Sequence, residues 1–93
     1  MIIFNKSDMQ FKNYQWTIYP KDDPSINGKP DGTRFNRHEG YEVLYIINTL
    51  AGLWRFRQIK TCLLIEKMIK EKLPSTSKTQ IDVKEWIGNK LFH

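Results

Sequence analysis

The stretch NRHEGYEVLYIINTLAG, residues 36–52, predicts the central helix of the fold. Asn36 is a residue type that caps helix N-termini, and Glu39 three positions later completes the pattern of a capping box. Gly52 stands where a glycine commonly ends a helix. The helical repeat between these limits gives one broad apolar face, formed by Val43, Leu44, Ile46, Ile47, Leu50 and Ala51. The opposite face, which the same repeat turns toward water or a partner, contains Glu42, Tyr45 and Thr49.

Two further helices are predicted downstream of this one. The second runs from about Gln58 to Leu73, where Pro74 stops it. Its apolar repeat consists of Ile59, Cys62, Leu63, Ile65, Ile69 and Leu73. In the third helix, Thr79 and Asp82 match the capping-box spacing. Its buried stripe is formed by Val83, Trp86, Ile87 and Leu91.

The N-terminal segment has the period of a strand rather than that of a helix. In FKNYQWTIYP, residues 11–20, Tyr14, Trp16 and Ile18 fall on one side, which is typical of a half-buried strand. Residues 2–4 are positioned to pair with it through the turn NKSD. The predicted class is therefore α+β: a small, mainly helical domain of about three helices with a short N-terminal β-strand or hairpin.

The chain is long enough for a single domain, residues 1–93. This domain divides into a β element at residues 1–19, a turn-rich loop at residues 20–35 and a three-helix region at residues 36–92. The loop includes PKDDPSINGKPDGT, whose Pro and Gly residues favour tight turns. The spacing and the closing glutamate of a calcium loop are missing from its candidate ligands, Asp22, Asp23, Asn27 and Asp31. We therefore expect no metal and no other cofactor.

The formal net charge of +5 is concentrated in one part of the chain. Residues 54–78 carry only two carboxylates, Glu66 and Glu71. The cations of the same stretch are Arg55, Arg57, Lys60, Lys67, Lys70, Lys72 and Lys78. Localised positive charge attracts polyanions more effectively than scattered charge does. This stretch therefore predicts a nucleic-acid-binding surface, in which phosphate attraction supplies the affinity and sequence preference is small.

The segment LWRFRQIK, residues 53–60, opens this basic stretch with alternating aromatic and basic side chains. In one arrangement Trp54 and Phe56 are exposed and stack on unpaired bases. In the other, both rings pack into the core while Arg55 and Arg57 point to water. We favour the second arrangement, because a short extended link orients alternate side chains in this way. A helix-turn-helix is disfavoured, since the third helix carries no net positive charge.

The segment RFNRHEG, residues 34–40, is the most reactive-looking cluster in the sequence. Arg34, Arg37 and His38 fall at the start of the first predicted helix, where free backbone amides bind anions such as phosphate. In the alternative interpretation Glu39 caps the helix and the other side chains are solvated. No Ser or Cys neighbour supplies a nucleophile, and the zinc pattern His-Glu-x-x-His is missing. We therefore expect no catalytic residues here.

The alternative that the composition leaves open is a protein-interaction module or an inhibitor that docks on a protein partner. Tyr19, Tyr41 and Tyr45 would then meet a protein partner or a second copy in a homodimer, since interfaces favour Tyr, Trp and Arg. The sequence shows no apolar run that crosses a bilayer and no targeting segment, and its single cysteine, Cys62, has the helical phase of a core residue. We expect a cytoplasmic accessory or regulatory protein, not an enzyme or a membrane protein, of the size typical of bacterial and phage accessory proteins.

Overall fold

Three helices form the body of the protein. The computed structural model describes residues 3–20, 23–28 and 30–92. The α-helices in these residues are α1 at Gly40–Trp54, α2 at Ile59–Glu71 and α3 at Gln80–Phe92, and each packs on the other two. None of these helices is long and apolar enough to cross a membrane. The prediction of a mainly helical fold built from three helices is confirmed.

The core lies between the three helices. Together with Phe4, its fully buried apolar side chains are Val43, Ile46, Ile47, Leu50, Cys62, Ile65, Ile69, Val83 and Ile87. Burial raises the pKa of the Cys62 thiol, as expected for an inert core cysteine. Trp86 and Leu91 are only half-buried against this core. Ile59, the first residue of α2, is exposed, so the predicted apolar repeat of the second helix starts one turn late.

The start of α1 is displaced from the predicted capping box by a contact with the N-terminal segment. The Gln15 N–H donates to the His38 carbonyl at 2.8 Å, and the Gly40 N–H donates to the Gln15 carbonyl at 2.7 Å. These bonds hold Glu39 extended, with φ −93° and ψ 115°, and it becomes the N-cap. The Asn36 side chain instead accepts the His38 N–H in a local turn. Helix formation is therefore delayed by a tertiary contact that the local sequence does not reveal.

The other helix limits follow from local backbone chemistry. Gly52 does not end α1, which continues until Arg55 adopts a left-handed backbone conformation with φ 58°. The second helix begins after Gln58, close to the predicted position. At the start of α3 the Asp82 N–H donates to the Thr79 hydroxyl and the Thr79 N–H donates to the Asp82 carboxylate, both at 3.2 Å. The predicted capping box of the third helix is thus confirmed.

The prediction of an N-terminal β-strand is wrong. In the described part of the chain no sheet forms, and the segment makes a single isolated bridge, between Gln15 and Glu39. The alternation is correct for Tyr14, which is buried, and for Trp16, which is half-buried. It fails at Ile18, whose side chain is 88% exposed. A period of two identifies extended backbone, but it does not supply a neighbouring strand.

The predicted hairpin partner, residues 2–4, lies partly outside the described residues. Within them, the backbone N–H groups of Ile3 and Phe4 donate to the side-chain oxygen of Asn48 in α1, at 3.1 and 3.0 Å. The Asn48 amide group donates back to the Phe4 carbonyl at 2.8 Å. A helix side chain therefore makes the hydrogen bonds that the prediction assigned to a strand.

We call residues 3–20 the N-terminal arm. Buried glutamates hold the rest of this arm in the same manner. Glu66 of α2 is fully buried, and its carboxylate accepts the N–H of Gln10 at 2.9 Å and that of Phe11 at 3.4 Å. The same carboxylate accepts the Tyr14 hydroxyl at 2.6 Å. A carboxylate has acceptor sites for several donors, so one side chain satisfies three groups of the arm.

Two more buried carboxylates bind the end of the arm. Glu39 accepts the Thr17 N–H at 3.2 Å and the Thr17 hydroxyl at 2.7 Å. Glu42, which the sequence directed toward water or a partner, is buried and accepts the Tyr19 hydroxyl at 2.6 Å. Burial raises the pKa of the Glu42 carboxyl, although its hydrogen bonds to Tyr19 and Asn36 act in the opposite direction. Apart from a short 3-10 helix at Lys6–Asp8, the arm is thus an extended segment anchored by side chains.

The hydroxyls of Tyr14 and Tyr19, which donate to glutamates, predict a loss of stability at alkaline pH. The pKa values of Tyr14 and Tyr19 are raised above the ordinary 10.0, first by burial and then by their glutamate partners. Above pH 10.0 the unfolded chain therefore releases these protons before the folded chain does, so the free energy of unfolding falls as the pH rises. We expect a Tyr14→Phe/Tyr19→Phe variant to show a shallower fall when urea unfolding is followed from about pH 9 to pH 12. An equally steep fall in the variant would contradict this assignment.

Candidate nucleic-acid interface

Six of the seven cations predicted to contact nucleic acid are exposed. They lie in the link before α2, on α2 itself and in the turn that leads to α3. We call them the basic surface: Arg55, Arg57, Lys60, Lys67, Lys72 and Lys78. Residues 54–78 contain two carboxylates. Glu66 is buried where it binds the N-terminal arm, and only Glu71 is exposed. The structure therefore leaves the positive charge of this stretch facing solvent.

Lys70, the seventh predicted contact, is half-buried beside the N-terminal arm. Its Nζ lies 4.4 Å from the centre of the Tyr14 ring and donates to the Arg37 carbonyl at 3.4 Å. Burial lowers the pKa of the Lys70 ammonium, and the nearby Arg37 charge lowers it further. This lysine has a cation–π packing role and is not part of the basic surface.

Two lysines of the basic surface lie on one stripe of α2. Lys60 and Lys67 are separated by two helical turns, which corresponds to about 10 Å along the axis. Leu64 lies between them and is 49% exposed. Both lysines are therefore carried on rigid backbone at a fixed separation.

Trp54, the last residue of α1, and Phe56, in the link before α2, pack against the core, as the favoured arrangement predicted. Trp54 and Phe56 are half-buried, and the Trp54 ring meets the Phe92 ring edge-on with 5.0 Å between centres. Arg55 and Arg57 are exposed on either side of Phe56. These rings are held by the fold, so the arginines rather than the aromatic rings are presented to a ligand.

Two backbone amides at the predicted anion site at the start of α1 already have partners. The His38 N–H donates to the Asn36 side chain at 2.9 Å, and the Gly40 N–H donates to the Gln15 carbonyl. An anion that used these two amides would have to displace these bonds. The anion contact at the start of α1 therefore stays a prediction.

Arg37, predicted to be an anion contact, reaches the C-terminal end of α2. Its guanidinium donates to the Ile69 carbonyl at 3.1 Å and to the Leu73 carbonyl at 2.6 Å. It satisfies carbonyls that a helix end leaves unpaired and places positive charge at the negative pole of the helix. The other two predicted contacts, Arg34 and His38, are exposed.

The three tyrosines of the alternative prediction are in different environments. Tyr19 is tied to Glu42 and is half-buried. Tyr41 and Tyr45 line an apolar groove of about 440 Å³ together with Phe4, Ile26, Leu44 and Thr49. The Tyr45 hydroxyl also donates to the Gly28 carbonyl, which fixes part of the turn-rich loop. Two of the three tyrosines therefore share one surface.

Sequence reasoning missed a second groove, between α2 and α3. This groove of about 670 Å³ is lined by Leu64, Met68, Lys72, Pro74, Trp86, Lys90 and Leu91. The available signal was the pair Leu64 and Met68, four residues apart and outside the predicted apolar repeat. The Lys90 Nζ lies 5.9 Å from the centre of the Trp86 ring. Lysines thus border an apolar surface here.

The acidic residues of the turn-rich loop have local partners. The Asp23 carboxylate accepts the Ser25 N–H at 2.8 Å, and the Asp31 carboxylate accepts the Thr33 N–H at 2.7 Å. Asp22, a further candidate calcium ligand, lies outside the described residues. Within the part of the chain that the structure describes, no three His, Cys, Asp or Glu side chains are grouped to hold a metal ion.

The chain matches no protein-family model, and no curated protein or solved structure is significantly similar to it. Its function is therefore inferred from the charges, exposure and cavities described above.

Proposed function

We propose that the protein is an accessory or regulatory protein that binds nucleic acid through the basic surface. The observation that carries this proposal is the imbalance of exposed charge in residues 54–78, where six cations face solvent and Glu71 is the one exposed carboxylate. Exposed Arg and Lys side chains neutralise phosphates and release condensed counterions, which favours binding. A solvent-facing cluster of this kind also accelerates encounter with a polyanion.

Phosphate contacts dominate the proposed mode of binding. The aromatic rings of Trp54 and Phe56 are engaged with the core, so stacking on bases contributes little. The α3 helix carries Lys84 and Lys90 against acidic residues in equal number, so it has no excess charge with which to approach a duplex as a recognition helix. Affinity should therefore depend steeply on salt and weakly on sequence.

A paired set of charge variants tests the interface. Lys60→Gln/Lys67→Gln removes both lysines of the α2 stripe, and we expect it to reduce the salt slope of oligonucleotide binding by about 2. Lys12→Gln/Lys84→Gln removes the same net charge from the arm and α3 and should leave that slope nearly unchanged. Fluorescence anisotropy at several salt concentrations measures both variants. Equal losses in the two variants would show a dependence on net charge alone and would reject this interface.

The groove that holds Tyr41 and Tyr45 supports a second candidate function, the binding of a protein partner. Its apolar lining and tyrosine rings have the composition of interface surfaces. Thr49→Arg introduces a charge into this groove. The second candidate predicts that Thr49→Arg abolishes a complex observed by size-exclusion chromatography of the protein from cells, whereas Lys60→Gln/Lys67→Gln preserves it. The opposite pattern would favour the nucleic-acid function.

A further inference from the structure

A cationic cleft lies at the C-terminal end of α2. Lys78 is the only residue that it shares with the basic surface. The cleft has a volume of about 250 Å³, and no carboxylate lines it. Its basic and hydroxyl side chains come from two segments of the chain: Arg34, Arg37, His38, Ser75, Ser77 and Lys78. Cationic and hydroxyl groups in one concave site match the donor requirements of a phosphate group.

The backbone fixes the two segments relative to each other. Arg34 forms an antiparallel bridge with Thr79, and the Phe35 N–H donates to the Lys78 carbonyl at 2.9 Å. The Ser77 N–H donates to the Pro74 carbonyl at 3.0 Å, which closes the turn that carries the serines. The cleft is therefore assembled before any ligand binds, which lowers the entropic cost of binding.

Arg37 provides the cleft with a charge whose position is set by the fold. Its bonds to the Ile69 and Leu73 carbonyls hold the guanidinium in place and offset the partial negative charge of the α2 terminus. Asp82, in the first turn of α3, accepts the N–H groups of Lys78 and Thr79 and does not line the cleft. The local field therefore favours an anion.

From this geometry we infer that the cleft binds the dianionic phosphate of a phosphate monoester. Donors approach from both segments, so they can surround a terminal phosphate, whose three free oxygens carry nearly two charges at neutral pH. A phosphodiester within a strand offers two free oxygens and one charge. The phosphate can belong to the end of a nucleic-acid strand or to a small phosphorylated molecule. The first source rests on the proposed function, whereas the cleft itself does not.

Inorganic phosphate and ribose 5-phosphate, followed by two-dimensional NMR at constant ionic strength, test the cleft directly. We expect saturable shifts confined to the amides near Arg34, Ser77 and Lys78, with a dissociation constant of about 1 to 10 mM. Arg34→Gln/Lys78→Gln should weaken this binding at least about tenfold, because it removes two charges from the cleft. Lys60→Gln/Lys67→Gln, which alters only the α2 stripe, should leave it unchanged. Shifts that do not saturate, or that are equal in both variants, would overturn the inference.

Oligonucleotides with and without a terminal phosphate identify the source of the ligand. If the strand end occupies the cleft, a phosphorylated end should bind about five- to tenfold more tightly than the hydroxyl form, and Arg34→Gln/Lys78→Gln should abolish the difference. Equal binding of both oligonucleotides, with saturable ribose 5-phosphate binding, would assign the cleft to a small phosphate monoester. Failure of both oligonucleotides to bind rejects the proposed function, but only failure of the phosphate probes rejects the cleft.

Discussion

Replacing Glu66 by alanine is expected to destabilise the protein by about 3 to 5 kcal/mol, because three donors lose one acceptor and a buried donor without a partner costs about 1 to 3 kcal/mol. The side chain is fully buried, and its carboxylate accepts the N–H groups of Gln10 and Phe11 and the Tyr14 hydroxyl. Truncation leaves these donors without their acceptor and opens a cavity. Urea unfolding measures the loss. Glu71→Ala, on the exposed side of the same helix, is the matched control and should change stability by less than about 0.5 kcal/mol.

A milder variant keeps this prediction testable if the alanine variant does not fold. Tyr14→Phe removes one of the three donors and keeps the ring, so we expect a loss of about 1 to 2 kcal/mol. Equal stability of the Glu66→Ala and Glu71→Ala proteins would contradict the account of how the N-terminal arm is held.

Gly40→Ala is expected to destabilise the protein by about 1 to 3 kcal/mol, although alanine is the better helix former. A Cβ at Gly40 would lie 2.5 Å from a carbon of the Trp16 ring, which packs against the start of α1. Trp16 must then move, and its edge-on contact with Tyr41, at 5.0 Å between ring centres, is disturbed.

Gly52→Ala provides the opposite case within the same helix. A Cβ at Gly52 meets no atom within 4 Å, so this substitution should stabilise the protein by about 0.5 to 1 kcal/mol through helix propensity alone. Thermal unfolding of the two variants separates the effects. If both substitutions raise the melting temperature, Trp16 does not pack on Gly40 as described.

The helices were predictable because each contains its own signal. Apolar spacing marks the buried faces of α1 and α2, and the Thr79 and Asp82 pair marks the start of α3. The N-terminal arm carries the local signal of a strand, but its hydrogen-bond partners are glutamates more than twenty residues away. In the sequence Glu66 resembles an ordinary solvent-facing charge, so its burial depends on contacts that no local pattern shows.

The basic surface was predictable to the extent that it depends on charge. Arg55 and Arg57 are exposed as the alternation indicates. Lys70 lies over the Tyr14 ring, and Arg37 donates to a carbonyl at the end of α2. Both contacts arise from packing between distant segments. The cationic cleft likewise joins segments about forty residues apart. For this reason the sequence predicted an anion contact only at the first segment, with Arg34, Arg37 and His38.

The most direct test of the central claim is fluorescence anisotropy of labelled single-stranded and duplex oligonucleotides, titrated with the wild-type protein from about 50 to 200 mM salt. The six side chains of the basic surface predict binding with a dissociation constant of about 1 to 100 μM at the lowest salt and a slope of log K against log salt of about −4 to −5. No binding at the lowest salt, or binding that is insensitive to salt, would contradict a function based on phosphate contacts.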